Sequence, residues 1–248
     1  MLLVVFRVAT APDAAAKAGR ALGLAPAELA VRLRGVLPRV VLVDGDADRV
    51  EEAARALEEL GFATLACDAA AAPTDAERVV ARKIELAPDA LVAWDGAGER
   101  HVCPGRAVAL VLRAVRAATT TEEVTTSERR FAPARALLSG GLLLTKTVTK
   151  TEVKHHEQRE PLLLIHRRDG EPDIVLYERR IDYRALGAAM QPSSAANLAV
   201  VAERLRALAP RAPVDERAAR PGFVTALPRT GADPVDLALF LLVLAQAR

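Results

Sequence analysis

Residues 2–8 form an almost unbroken apolar run, and the pattern after it is helical. Thr10, Pro12 and Asp13 supply helix-start signals, and Pro26 opens a second helix that Gly35 can close. Residues 40–43 are a second apolar run and Asp44-Gly45 is a turn. Across residues 46–60, Val50, Ala54, Leu57 and Leu60 then recur on one helical face. Gly61 stands at a C-cap position, and residues 62–67 return as a strand. This order predicts a small βααβαβ domain over residues 1–68.

An alanine-rich connector, residues 69–73, ends in proline and marks the seam to a region where the period changes from helix to strand. Residues 78–86 and 91–94 read as extended, with Asp95-Gly96 turning the chain into residues 99–103. Residues 107–118 are apolar, with Arg113 and Arg116 spaced along them, and fit either a strand or a short helix. Two threonine-rich segments follow, residues 119–130 and 142–158. In the second, Thr145, Thr147, Thr149 and Thr151 fall on one strand face, and Lys146, Val148, Lys150 and Lys154 on the other. Alternating β-branched residues favour strand, so the two segments are expected to pair antiparallel through residues 131–141. A further hairpin joins residues 162–166 to 174–178 through Asp169-Gly170. Ser193 or Ser194 caps a helix running to about Leu208, with Leu198, Val201, Leu205 and Leu208 on one side. Residues 209–231, punctuated by four prolines, are expected to be irregular, and Asp233-Pro234 starts a last helix.

The predicted class is therefore α+β. The βααβαβ domain precedes a mostly antiparallel β domain over residues 75–208, closed by its C-terminal helix, and a proline-rich tail over 209–248 carries the terminal apolar helix. Residues 237–244 are apolar nearly all round, so that helix requires cover from its own chain, from a homodimer partner or from a membrane surface. Cover by its own chain makes Phe240 a buried aromatic.

Composition narrows the function classes. Of 248 residues, 51% are apolar and 27% charged, as in soluble globular proteins, but aromatics are only 3%, so the core must lean on Ala, Leu and Val. A net charge of +2 argues against a dedicated nucleic-acid coat. Cys67 and Cys103 are too few for a disulfide framework and fit a reducing compartment. Arg7 interrupts the first apolar run, and no run reaches the roughly 20 residues of a membrane span, so the expected location is the cytoplasm.

Little of the chain carries chemistry. His155-His156 point to opposite strand faces and cannot readily share one ion. His101 and Cys103 share a face and, with Asp95, offer only part of a zinc ligand set. Ser139-Gly140-Gly141 lacks both the Walker and the dinucleotide patterns, and no cofactor is expected. The one local excess of positive charge spans residues 104–168. Within it Arg129, Arg130, Thr145, Lys146, Lys150 and Lys154 form the candidate binding face. The leading expectation is a non-catalytic adaptor that accepts a strand from a protein partner on the threonine-rich edge. The rivals are an anion or nucleic-acid binder using basic residues of 106–168, and an enzyme with a site at the seam between the domains.

Two resemblances sharpen the fold. The order of elements in residues 2–68 resembles the C-terminal domain of the bacterial ribosomal stalk protein. It does so with Ala21-Leu22-Gly23-Leu24 before the second helix and Leu57-Glu58-Glu59-Leu60-Gly61 before the closing strand. That family recruits translation GTPases through a lysine-rich helical face. What the resemblance implies here is the fold, a three-stranded sheet covered by three helices, since Lys17 is the only lysine in the unit. Residues 75–208, a run of hairpins ending in an amphipathic helix, look like a pleckstrin-homology-like domain. That resemblance implies a curved sheet of about seven strands capped by the helix, which binds proteins, peptides or anionic head groups.

Overall fold

The computed structural model describes the backbone of residues 1–11, 13–131, 145–220 and 222–247, and side chains outside residues 118–158. The chain divides into two compact units, one formed by Met1–Arg116 with Pro161–Arg248 and the other by Ala117–Glu160. Helices and sheets are mixed, and the class is α+β.

The first unit begins with β1 (Leu2–Arg7), α1 (Ala14–Ala21), α2 (Pro26–Arg32), β2 (Arg39–Val43), α3 (Ala47–Glu59) and β3 (Ala63–Cys67). Local chemistry sets the boundaries. Pro26 occupies the first turn of α2, where its missing N–H costs nothing. The Asp46 carboxylate caps α3 by accepting from the Asp48 and Arg49 N–H groups. After α3, Gly61 takes a φ of +89°, which lets the chain reverse into β3. The sheet order is β2-β1-β3, antiparallel throughout. β1 is buried on both faces. Leu3 and Val5 meet Leu29, Val50, Leu57 and Phe62 under the helices, while Leu2 and Val4 turn to the opposite side.

The stretch expected as one extended segment over 78–86 is split between two sheets, as β4 (Val79–Val80) and β5 (Lys83–Leu86). β5 joins β6 (Ala90–Trp94) and β7 (Arg100–Pro104) in an antiparallel sheet of order β5-β6-β7. The larger sheet contains β8 (Val108–Phe131), β9 (Thr145–Arg167), β10 (Ile174–Tyr177) and β11 (Val214–Asp215), in the order β11-β8-β9-β10-β4. Residues 107–118, ambiguous in the sequence, are thus mostly strand. β11 runs parallel to β8 and β4 parallel to β10, while β9 and β10 are antiparallel. The short β11 and two single-turn helices interrupt the tail expected to be irregular.

Two helices cover this sheet. On one face, Leu198, Val201 and Leu205 of α4 (Ser194–Leu208) pack with Leu163, Ile165, Ile174 and Leu176, together with Ile84 and Leu91 of the smaller sheet. On the other, α5 (Pro234–Gln246) lays Val235, Ala238, Leu239 and Leu242 against Leu110, Leu112, Leu162, Leu164, Val175 and Tyr177. The consecutive apolar run Leu162 to Ile165 follows from burial on both faces of β9.

α5 also has a second apolar stripe. Leu237 and Leu241, with the half-buried Phe240 and Leu244, pack on Leu2 and Val4 of β1. Each stripe follows the i, i+3, i+4, i+7 spacing of one helical face. The helix is covered by its own chain on both sides, which is why it is apolar all round. The expectation for Phe240 needs correction: the large residues with no exposed surface are Leu237, Leu239 and Leu241, each 0% exposed, whereas Phe240 is only half-buried, at the rim of its stripe. The alanine-rich connector is covered too, with Ala69 and Ala72 buried beside the same stripe. Among the described residues, no helix is long and apolar enough to cross a membrane.

Candidate functional site

The candidate binding face falls in the second unit. Arg129 and Arg130 lie on β8, and Thr145, Lys146, Lys150 and Lys154 on β9, in neighbouring strands of the larger sheet. Their side chains lie outside the described residues, as do those of His155 and His156, and Ser139-Gly140-Gly141 lies wholly outside them. At the base of the two strands, the Arg168 N–H donates to the Ala107 carbonyl and its guanidinium to that of Val108. These bonds tie the end of β9 to the start of β8.

Several arginines counted in the basic excess are already committed. Arg113 pairs with Glu216 at 3.5 Å, and Arg167 forms two hydrogen bonds to Asp169, at 3.0 and 2.7 Å. Arg116 belongs to a buried network, so the 106–168 segment offers less free positive charge than its composition suggests.

That network is a dense polar feature of the first unit, and its members come together from far apart in the chain. Arg78 and Arg116 both donate to Oδ1 of Asp236 in the first turn of α5, Arg116 at 2.6 Å. Arg116 also reaches Oδ2 of Asp75 at 3.3 Å, and the Tyr177 hydroxyl donates to that oxygen at 2.7 Å. The Arg78 side chain is 2% exposed and that of Asp236 5%. Burial lifts the Asp236 carboxyl above its ordinary value, while the Arg78 hydrogen bond and the Arg116 charge draw it down. Burial, with the Asp75 carboxylate second, pushes the Tyr177 phenol up. Burial works against the charge of Arg116, yet Tyr177, Asp236, Asp75 and Asp233 hold its guanidinium above its ordinary value.

Beside this network lies a cleft of about 500 Å³ between the first sheet and the start of α5. Its carboxylates are occupied. Asp68 accepts from the Ala70 N–H, Asp233 caps α5 through the Val235 and Asp236 N–H groups, and Asp236 is held by the two arginines. The buried Thr230 hydroxyl at its wall has no hydrogen-bond partner.

The turn between β6 and β7 brings Asp95 and His101 together, with Glu99 in place of the expected Cys103; their ligand atoms lie within 4.8 Å of one another. Both Asp95 oxygens are engaged. Oδ1 accepts from the Ala97 and Glu99 N–H groups at 2.9 Å each, and Oδ2 is 3.3 Å from His101 Nε2. The Glu99 N–H bond leads the influences that hold this carboxyl below its ordinary value. Cys103 is buried in the core, where burial pushes its thiol up and makes it a poor nucleophile.

Comparison with protein-family models, characterised proteins and solved structures finds no match to this chain.

Proposed function

We propose that this protein is a non-catalytic cytoplasmic interaction module whose binding element is the β8–β9 ribbon, which accepts an added strand from a protein partner along its edge. One observation supports this reading above the others. β8 runs for 24 residues and β9 for 23, whereas the strands beside them, β11 and β10, have two and four. Most of the ribbon's length therefore has strand-addition capacity to spare. The βααβαβ resemblance to the stalk-protein domain and the pleckstrin-homology-like resemblance of residues 75–208 fit the same reading, because both folds serve recognition.

The test is capture from native lysate with the full-length chain as bait, beside Thr149→Pro, which removes an N–H from the middle of β9. Under this reading, at least one protein is retained by the wild type and lost by the variant, while circular dichroism of the two baits agrees. Identical capture by both baits would sink the proposal.

A further inference from the structure

We infer that the turn between β6 and β7 binds one divalent transition-metal ion, held by Asp95, Glu99 and His101. The inference goes beyond the interaction reading and does not depend on it, because the site lies wholly within the first unit.

The register of the hairpin puts the three residues on one face. Ala93 pairs with His101 and Leu91 with Cys103, and Ala93, Leu91 and Cys103 all belong to the core cluster on that side. The Asp95 N–H donates to the Glu99 carbonyl at 3.2 Å, which makes Asp95 and Glu99 the next facing pair on the same side. The cluster thus continues the buried face of the small sheet, and both Asp95 and His101 are partly buried.

The spacing suits a shared ion better than a hydrogen bond. His101 Nε2 stands 3.3 Å from Asp95 Oδ2, beyond the usual separation of about 2.9–3.0 Å for N–H···O. Two ligands each about 2.0–2.1 Å from a tetrahedral ion lie about 3.3–3.4 Å apart, so these atoms already span one edge of a coordination tetrahedron. Glu99 completes the set, with the three ligand atoms within 4.8 Å of one another, and its long exposed side chain closes the remaining gap by rotamer change. Behind the site, the Ala97 and Glu99 N–H groups hold Oδ1 of Asp95, the kind of outer support that orients a metal ligand.

Charge points to the same occupant. Like charges at facing positions of a hairpin repel, yet among the described residues no lysine or arginine pairs with either carboxylate. Arg82, whose Nε lies near Gly96, reaches neither, and the Glu99 carboxylate has no hydrogen-bond or ion-pair partner among the described residues. One imidazole with two carboxylates suits Zn²⁺ and its first-row neighbours rather than Mg²⁺ or Ca²⁺, which favour all-oxygen sets. Three protein ligands leave a fourth position for water.

The experiment is calorimetric titration of Zn²⁺ into the full-length protein, beside His101→Ala, Glu99→Gln and Asp95→Asn. The last variant keeps an oxygen to accept from the Ala97 and Glu99 N–H groups but replaces the ligand oxygen by an NH₂ that cannot coordinate. The wild type is expected to take up one saturable equivalent at this site. Even outer-shell partners are worth about 10–100-fold in affinity, so each variant should weaken that uptake by at least about tenfold. Co²⁺ in place of Zn²⁺ is expected to quench Trp94, the one tryptophan of the chain and the sequence neighbour of Asp95, whereas uptake elsewhere leaves its emission unchanged. The absence of saturable uptake, wild-type affinity in any folded variant, or Co²⁺ uptake without loss of Trp94 emission each overturns the inference. Far-ultraviolet circular dichroism checks the fold of each variant, and if one unfolds, the Trp94 response of the wild type still decides.

Discussion

Leu239 and Leu241 lie two residues apart on α5, and the helix turns about 100° per residue, so they face opposite layers. Leu239 meets the five-stranded sheet and Leu241 meets β1 of the three-stranded sheet, each with no exposed surface. Truncating a fully buried leucine removes its transfer free energy and leaves a cavity, together about 2.7–5 kcal/mol. A helix held between two sheets cannot shift toward one without opening the other, which limits relaxation and places both variants at about 3–4 kcal/mol. Phe240→Ala, at the rim, is expected to cost only about 1–2 kcal/mol, because part of the ring is already in water. Urea unfolding followed by far-ultraviolet circular dichroism and by Trp94 emission measures all three. With an m-value of about 2–3 kcal/mol per molar, each leucine variant lowers the midpoint by about 1–2 M. If Leu241→Ala cost under about 1 kcal/mol while Leu239→Ala cost the full amount, the first layer would not rest on α5, and the two-sided account of this helix would be refuted.

Other expectations concern the buried charges and the tight contacts. Asp236→Leu leaves Arg78 with only Asp75, 3.8 Å away, and Arg78→Met removes one of two cations from Asp236; each is expected to destabilise by about 3–5 kcal/mol. The double variant should recover most of that loss in a double-mutant cycle, and simple additivity would contradict the pairing. A Cβ at Gly105 would overlap the Leu208 carbonyl at the end of α4, so Gly105→Ala should cost about 1–3 kcal/mol in the same assay, and a neutral result would contradict that approach. Burial raises the Cys67 thiol to about 11 from an ordinary 9.0, so the unfolded chain releases this proton at lower pH than the folded chain. The thiol's contribution to stability is therefore complete below pH 9 and lost as pH rises toward 11. Iodoacetamide at about pH 8.5 should alkylate Cys67 far more slowly in the folded protein than in urea, and equal rates would contradict the shift.

Much of this architecture is legible in the sequence because it is local. Pro26, Asp46, Gly61 and Asp233-Pro234 mark helix ends whose capping chemistry depends on neighbours a few residues away. The division of residues 78–86 between two sheets is not legible, since both halves are extended and only their distant partners differ. Nor is the ion network, whose members are brought together from far along the chain: Arg78 and Asp236 are 158 residues apart, Tyr177 and Asp75 102. One signal does exist. Asp236 is the only charged residue in a helix that is otherwise almost wholly apolar, and a charge at a position destined for burial requires a partner.

The same network shows why the chain changes character at Arg116. On the face of β8 turned toward α5, Leu110, Leu112 and Ala114 are buried apolar residues, and the next position on that face is Arg116. On β10 the stripe likewise ends at Tyr177, whose ring is apolar and whose hydroxyl reaches Asp75. Both stripes stop where α5 begins, and Asp236 closes the end of the core with charge that is internally neutralised. From Ala117 onward β8 belongs to the second unit, and its sequence changes to threonine and glutamate with few large apolar residues. A segment of that composition gains little from burying side chains, so backbone pairing along its edges is the main source of order open to it.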